Sequence, residues 1–234
     1  MSGLKPVFLF AGGRPRNAQT LTPLFQEVFR ETDKESPTIA YVGAASEDSK
    51  PFFLMMATFL KGAGAGKIKH AIISSEKADF KKAQTIINSA DIVYISGGDV
   101  ERGMRVLQEK NMIDFLVELY RQGKPFFGMS AGSIMLAKEW IRWRDPNDDA
   151  TAEIFPCLGI APVICDTHGE QEDWEELQAL LKLEPDNVKG YGIVSGLAIK
   201  VFPDGRIEAL GGAIHQYTKH NGIVERIADI VPVE

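Results

Sequence analysis

The stretch Lys124 to Leu136, KPFFGMSAGSIML, narrows the fold more than any other part of the chain, because it runs from an apolar strand through Gly-Met-Ser-Ala-Gly into an apolar helix. Pro125 to Phe127 read as the end of a buried strand, Gly128 and Gly132 remove side chains that a sharp reversal would bring into collision, and Ala131 to Glu139 has helix-forming composition. Ser130 then sits at the tip of the turn. A hydroxyl there stands above the sheet beside the first N–H groups of a helix, whose partial positive charge stabilises an oxyanion. The competing reading is a Gly-rich turn with an N-capping serine; the flanking strand and helix favour a nucleophile elbow.

The rest of the chain alternates in the same manner. Val7 to Ala11 predicts a first strand, and the GGRPRN turn leads into a helix carrying Leu24, Phe25, Val28 and Phe29. Strands follow at Thr38 to Val42, Ile68 to Ile73 and Asp91 to Ile95, with helices at Phe52 to Leu60, Ala78 to Asn88, Met104 to Leu107 and Ile113 to Leu119. Near-continuous apolar strands in this order predict an α/β fold, a three-layer sandwich whose mainly parallel sheet is covered on both faces. Active groups in such sheets lie beyond the carboxyl ends of the strands. After Glu139 the segment WIRWRDPNDDATAEIFPCLG lacks sustained periodicity and reads as a loop over the site. Val163 to Cys165 is a short strand, Glu170 to Leu183 a helix, Ala198 to Phe202 and Arg206 to Leu210 a β-hairpin around Pro203-Asp204-Gly205, and Val224 to Val231 a further strand.

The chain has 234 residues, which one α/β domain spanning 1–234 accommodates. A net charge of −6 gives no reason to expect nucleic acid or an anionic membrane as partner. The apolar run Val7 to Ala11 is too short for a signal segment or a membrane span, so a cytoplasmic protein is expected. Cys157 and Cys165 have no second ligand pair beside them, which indicates neither a disulfide framework nor a metal site.

A serine hydroxyl needs a base, and histidine is the usual one. Of the four histidines, His70 lies within a strand and His215 and His220 in a polar tail, where solvation or local bonding explains them. His168 follows the buried-looking Pro162 to Cys165 at a strand end, where loops line the site. Ser96-Gly97-Gly98-Asp99 closes the fourth strand, and its glycines let backbone approach a substrate. The Gly98 N–H could complete an oxyanion hole with that of Ala131, while Gly97, Asp99 and Glu170 are expected to line the substrate.

YISGGDVERGMRVL, FFGMSAGSIML and CDTHGEQ together resemble the dipeptidase E and cyanophycinase family of serine peptidases, within the class I glutamine amidotransferase-like superfamily. The resemblance runs from the first strand to the hairpin. It implies a flavodoxin-like fold, cofactor-free cleavage of small acidic peptides, homodimerisation as a family-level expectation, Ser130 as nucleophile, His168 as base, and Gly98 and Ala131 as oxyanion donors. The family's acid after the histidine helix is absent from Gly192-Ile193-Val194-Ser195; Asp145 of WRDPN matches another family position and is the first choice to orient His168, with Asp166 and Glu170 as local alternatives. The arginine-bearing segment that recognises an aspartyl carboxylate in dipeptidase E is replaced by Glu170, Glu172, Asp173, Glu175 and Glu176. That run is explained by dipole compensation on a solvated face; facing the site, it would favour a cationic substrate.

These features lead to a serine hydrolase acting on an amide bond of a small peptide or amino-acid conjugate. A non-catalytic binder of a ligand or partner is the alternative from another class, and an esterase using Ser130, Asp204 and His215 is a third, weakened by the tight turn around Asp204. Trp140, Trp143 and Trp174 either wall a pocket or pack their own segment, and Met55, Met56 and Phe59 at helical spacing read as core.

Overall fold

The computed structural model describes residues 3–12 and 18–233; most of the GGRPRN turn, residues 13–17, lies outside them. Strands and helices follow in the order β1 (Val7–Phe10), α1 (Ala18–Phe29), β2 (Ile39–Val42), α2 (Lys50–Gly62), β3 (Ile68–Ala71), α3 (Phe80–Ser89), β4 (Ile92–Ile95), α4 (Val100–Glu109), α5 (Ile113–Arg121), β5 (Phe126–Met129) and α6 (Ala131–Leu136). Then come β6 (Glu139–Trp143), β7 (Ala152–Pro156), β8 (Ile164–Thr167), α7 (Glu175–Leu183), β9 (Lys189–Ile193), β10 (Ala198–Val201), β11 (Ile207–Leu210), β12 (Ile214–His220) and β13 (Ile223–Ile230).

A seven-stranded sheet has the order β11-β10-β1-β5-β4-β2-β3. Its strands from β1 to β3 are parallel, and the β10–β11 hairpin is added antiparallel beside β1. Strands β1, β2, β4 and β5 are buried along their whole length, which is why VFLF, IAYV and IVYI read as continuous apolar runs. Alternate residues serve opposite layers. Phe8, Phe10, Tyr41, Tyr94 and Phe127 pack against α1 and α2, while Val7, Leu9, Val93, Ile95 and Phe126 pack against α3 to α6.

Two smaller sheets complete the molecule. One has the order β13-β12-β9-β8, with β8 and β9 parallel, and the other is the antiparallel pair β6–β7. The expected loop after Glu139 is therefore a hairpin: Trp140 stands opposite Phe155 and Arg142 opposite Glu153, cross-strand pairs that stabilise it. The helix expected to reach Glu139 ends at Leu136, because Ala137 turns extended and the Lys138 N–H joins the Val163 carbonyl at 2.9 Å. The helix expected from Glu170 begins at Glu175, after a turn in which Asp173 and Trp174 take positive φ. That turn drops Trp174 into a third core with Ile141, Ile164, Leu177, Leu181 and Tyr217. No helix among the described residues is long and apolar enough to cross a membrane.

Candidate active site

Ser130 is held at the carboxyl end of β5 with φ 53° and ψ −126°, a backbone state that costs a non-glycine residue about 1–3 kcal/mol and persists only where its surroundings enforce it. They do so here. The Ser130 N–H and the Ser133 hydroxyl both donate to the Phe10 carbonyl at 2.8 Å, which ties the elbow to the end of β1. A Cβ on Gly128 would lie 2.4 Å from the Gly132 carbonyl oxygen, and one on Gly132 would lie 2.1 Å from that of Ile95, so the reversal requires glycine at both positions.

His168 follows β8 with φ 48°, its N–H bonded to the Ile193 carbonyl at 3.0 Å. Its Nε2 is 2.7 Å from Ser130 Oγ across 38 positions of sequence. This is the distance at which an imidazole takes a hydroxyl proton. The β4–α4 turn stands against the same serine: a Cβ on Gly97 would come within 3.2 Å of Ser130 Cβ, and Gly98 takes φ 144° with no room for a side chain beside the Ala45 carbonyl. The N–H groups of Gly98 and of Ala131, the first residue of α6, donate to no acceptor among the described residues. Both are free for a developing oxyanion.

The acids divide differently from expectation. Asp145 sits at the tip of the β6–β7 hairpin, where its Oδ1 accepts from the Asn147 N–H at 2.9 Å and from Asn147 Nδ2 at 3.3 Å. Its carboxylate makes no hydrogen bond or ion pair with His168 among the described residues, so the expectation that it orients the imidazole finds no support in this geometry. Asp99 uses Oδ1 to cap α4 at the Arg102 N–H, 2.7 Å away. Glu170 accepts from the Ser195 N–H at 3.3 Å. Burial pushes its carboxyl up, but the Ser195 donors, its own N–H and the His168 charge together hold it below the usual range.

Two cavities meet at Ser130 and His168. One, of about 420 Å³, is walled by Leu21, Phe52, Met55, Met56 and Phe59 and edged by Glu170 and Ser195. Met56 is core as expected, whereas Met55 is 37% exposed and faces this cavity, a correction to its reading as core. The other, of about 480 Å³, includes Gly98 and Ala131 and is lined by Asp99, Asp166, Glu172, Glu175 and Glu176 with Trp140. The acidic run after His168 is therefore turned partly to the site. Trp140 donates its indole N–H to Glu176 Oε2 at 2.7 Å. Burial raises the Glu176 carboxyl, with the Trp140 bond opposing. Asp166 is pushed up to about 7, first by burial and then by the Glu176 charge.

The remaining candidates lie elsewhere. His215 accepts the Trp174 indole N–H at 3.0 Å, and Asp204 holds the β10–β11 turn through the Arg206 N–H at 3.0 Å, so the esterase arrangement has its acid and histidine occupied locally. Trp143 lines a separate cavity. Burial pushes the Cys157 thiol up to about 12 and that of Cys165 well above its ordinary value, which leaves neither as a thiolate nucleophile. Glu176 and Trp140 had no sequence signal as neighbours, since they meet only through the packing of β6 on α7.

Peptidase family S51 matches residues 7–208. Among curated relatives, the chain is 40% identical over 81 residues to peptidase E of Haemophilus influenzae, covering 32% of this chain and 37% of that protein. It is 29% identical over 136 residues to peptidase E of Streptomyces coelicolor, with 54% of each covered, and 26% identical over 164 residues to peptidase E of Pasteurella multocida, with 65% and 66% covered. The matches thus span from about a third to two thirds of those relatives' length. In three dimensions the chain is similar to a peptidase from an acI-B1 Actinobacterium, with TM-score 0.69, 16% identity and 97% of each chain covered. A putative peptidase E from Listeria monocytogenes gives TM-score 0.63 and 16% identity over 97% of this chain and 100% of that one.

Proposed function

This chain belongs to peptidase family S51, and from that premise we propose that it is a serine peptidase cleaving an amide bond in a small peptide or amino-acid conjugate. The observation that carries the reading is the 2.7 Å approach of His168 Nε2 to Ser130 Oγ beside the N–H groups of Gly98 and Ala131, which meet no acceptor among the described residues. His168 takes the hydroxyl proton as Oγ attacks the carbonyl carbon, and the oxyanion forms on the Gly98 and Ala131 N–H groups. His168 then gives that proton to the leaving amine, leaving an acyl-enzyme. A water molecule, deprotonated by the same imidazole, releases the acid and restores Ser130. We assign stabilisation of the imidazolium to Glu170, which lines the same cavity as Ser130 and His168 and is held there by the Ser195 N–H. The likeness of this chain to several relatives named peptidase E supports a small peptide as substrate.

Hydrolysis of a dipeptide panel, followed by mass detection of released amino acids, tests the reading. Ser130→Ala and His168→Ala each lower kcat/KM by about 10³-fold or more. Glu170→Gln lowers kcat about tenfold with a smaller change in KM, as expected of a group that stabilises charge formed during the reaction. Full activity in Ser130→Ala would overturn the assignment.

A further inference from the structure

The link between β2 and α2 is built around a buried carboxylate that the chemistry at Ser130 does not use. In the turn 43–48, Glu47 and Asp48 both take positive φ, 53° and 54°, and the Asp48 N–H closes the turn on the Gly43 carbonyl at 2.9 Å. The Asp48 side chain then fastens it to the end of β3: Oδ2 accepts the N–H groups of Ile73 at 2.7 Å and of Ser74 at 2.6 Å. His70 Nε2 stands 3.3 Å from Oδ1, with the two side chains 12% and 5% exposed. Neither atom meets any other partner among the described residues, so a proton on Nε2 is what offsets the burial of both. The His70 ring is fixed for that contact, stacked on Phe53 at 4.5 Å and edge-on to Tyr41 at 5.0 Å. Burial pushes the Asp48 carboxyl up, but His70 and the two N–H groups together hold it below the usual range.

The other side of this turn meets the segment that carries the Gly98 donor. The Ala45 carbonyl accepts the Asp99 N–H at 2.9 Å and packs so closely on Gly98 that a Cβ has no room there. Ser46 Oγ lies 3.3 Å from Oγ of the fully buried Ser96. Residues 43–48 thus grip the chain on both sides of the Gly98 N–H, and Gly98 has no side chain with which to anchor itself. We propose that Asp48, met by His70, is a positioning residue that sets the Gly98 N–H for the oxyanion. This rests on the peptidase reading of Ser130 and His168. A donor stabilises an oxyanion only within about 2.7–3.1 Å of where that charge forms, and a displacement of about 1 Å costs on the order of 10²-fold in rate. Loss of the contact between Asp48 and His70 loosens the turn from β3, and the Ala45 carbonyl then no longer fixes Gly98.

The test compares the parent protein with Asp48→Asn, His70→Phe and His70→Gln. His70→Phe keeps a ring against Phe53 and Tyr41 but removes the donor to Oδ1, whereas His70→Gln loses the ring and keeps an N–H at that reach. On the fastest member of the dipeptide panel, Asp48→Asn and His70→Phe each lower kcat about tenfold or more with KM within about threefold, because the oxyanion forms only as the reaction proceeds. His70→Gln recovers most of the loss; a packing role predicts the opposite order of the two His70 variants. A second readout needs no turnover. In protein carrying isotope-labelled glycine, the Gly98 amide resonance read by NMR moves in Asp48→Asn and His70→Phe and returns toward the parent position in His70→Gln. The proposal is overturned if Asp48→Asn and His70→Phe keep the parent kcat, if KM rises in step with the fall in kcat, if His70→Phe outperforms His70→Gln, or if the Gly98 amide stays in place. Asp48→Asn and His70→Phe each test the contact alone, so misfolding of one does not obscure the result. A parent that hydrolyses no dipeptide, with a Gly98 amide that still follows Asp48 and His70, would sink the peptidase reading and leave the coupling standing; an active parent unaffected by either substitution would do the reverse.

Discussion

Asp166 shows at the scale of one residue how the site and the stability of the chain oppose each other. Its carboxyl stands at about 7 against an ordinary 3.8, so between those values the folded protein keeps a proton that the unfolded chain has released. Stability therefore falls as pH rises through that window, in total by on the order of 4 kcal/mol. Asp166→Asn removes the term, and its Tm relative to the parent is expected to be more favourable at pH 8 than at pH 5; an equal difference at both would contradict the assignment. Residues whose position is set by local chain geometry were legible from sequence: Ser130 between Gly128 and Gly132, His168 at a strand end, Gly98 in a Gly-Gly turn. The surroundings of Asp145 were not legible, because an acid that reaches a histidine does so through space, and the hairpin holds this one to Asn147.

Among elements, the decisive join is the turn between β8 and α7. The buried Trp174 ring fills the space over Gly192, where an added Cβ would meet it at 2.7 Å. This gives a physical reason for glycine at position 192. Gly192→Ala is expected to destabilise by about 1–3 kcal/mol through overpacking, measured by denaturant unfolding. Trp174→Phe in the same chain is expected to return part of that loss, a coupling that a double-mutant cycle detects; additive effects would show that the ring and Gly192 do not compete for one space. The parallel strands were legible as apolar runs buried on both faces. The β6–β7 hairpin was not, since its half-buried alternation of Trp140, Ile141, Arg142 and Trp143 is masked by the charges around it. The start of α7 was misplaced because acidic composition continues through a turn whose shape depends on where Trp174 packs.

For the whole molecule, the seven-stranded sheet brings the ends of β1, β4 and β5 together, and the four-stranded sheet brings His168 to them. The first part follows from the order of apolar runs. The second does not, because β8, β9, β12 and β13 form a sheet of their own, whose docking rests on Cys165, Tyr191, Ile193 and Ile214 in the core they share with α6. The proposed function requires that this docking make Ser130 a nucleophile. It is tested most directly by treating the intact protein with a fluorophosphonate probe and reading whole-protein mass. One adduct per chain is expected, formed on Ser130, absent in Ser130→Ala and slowed about 10³-fold in His168→Ala. A folded protein that stays unlabelled, or that labels equally well without His168, would contradict it.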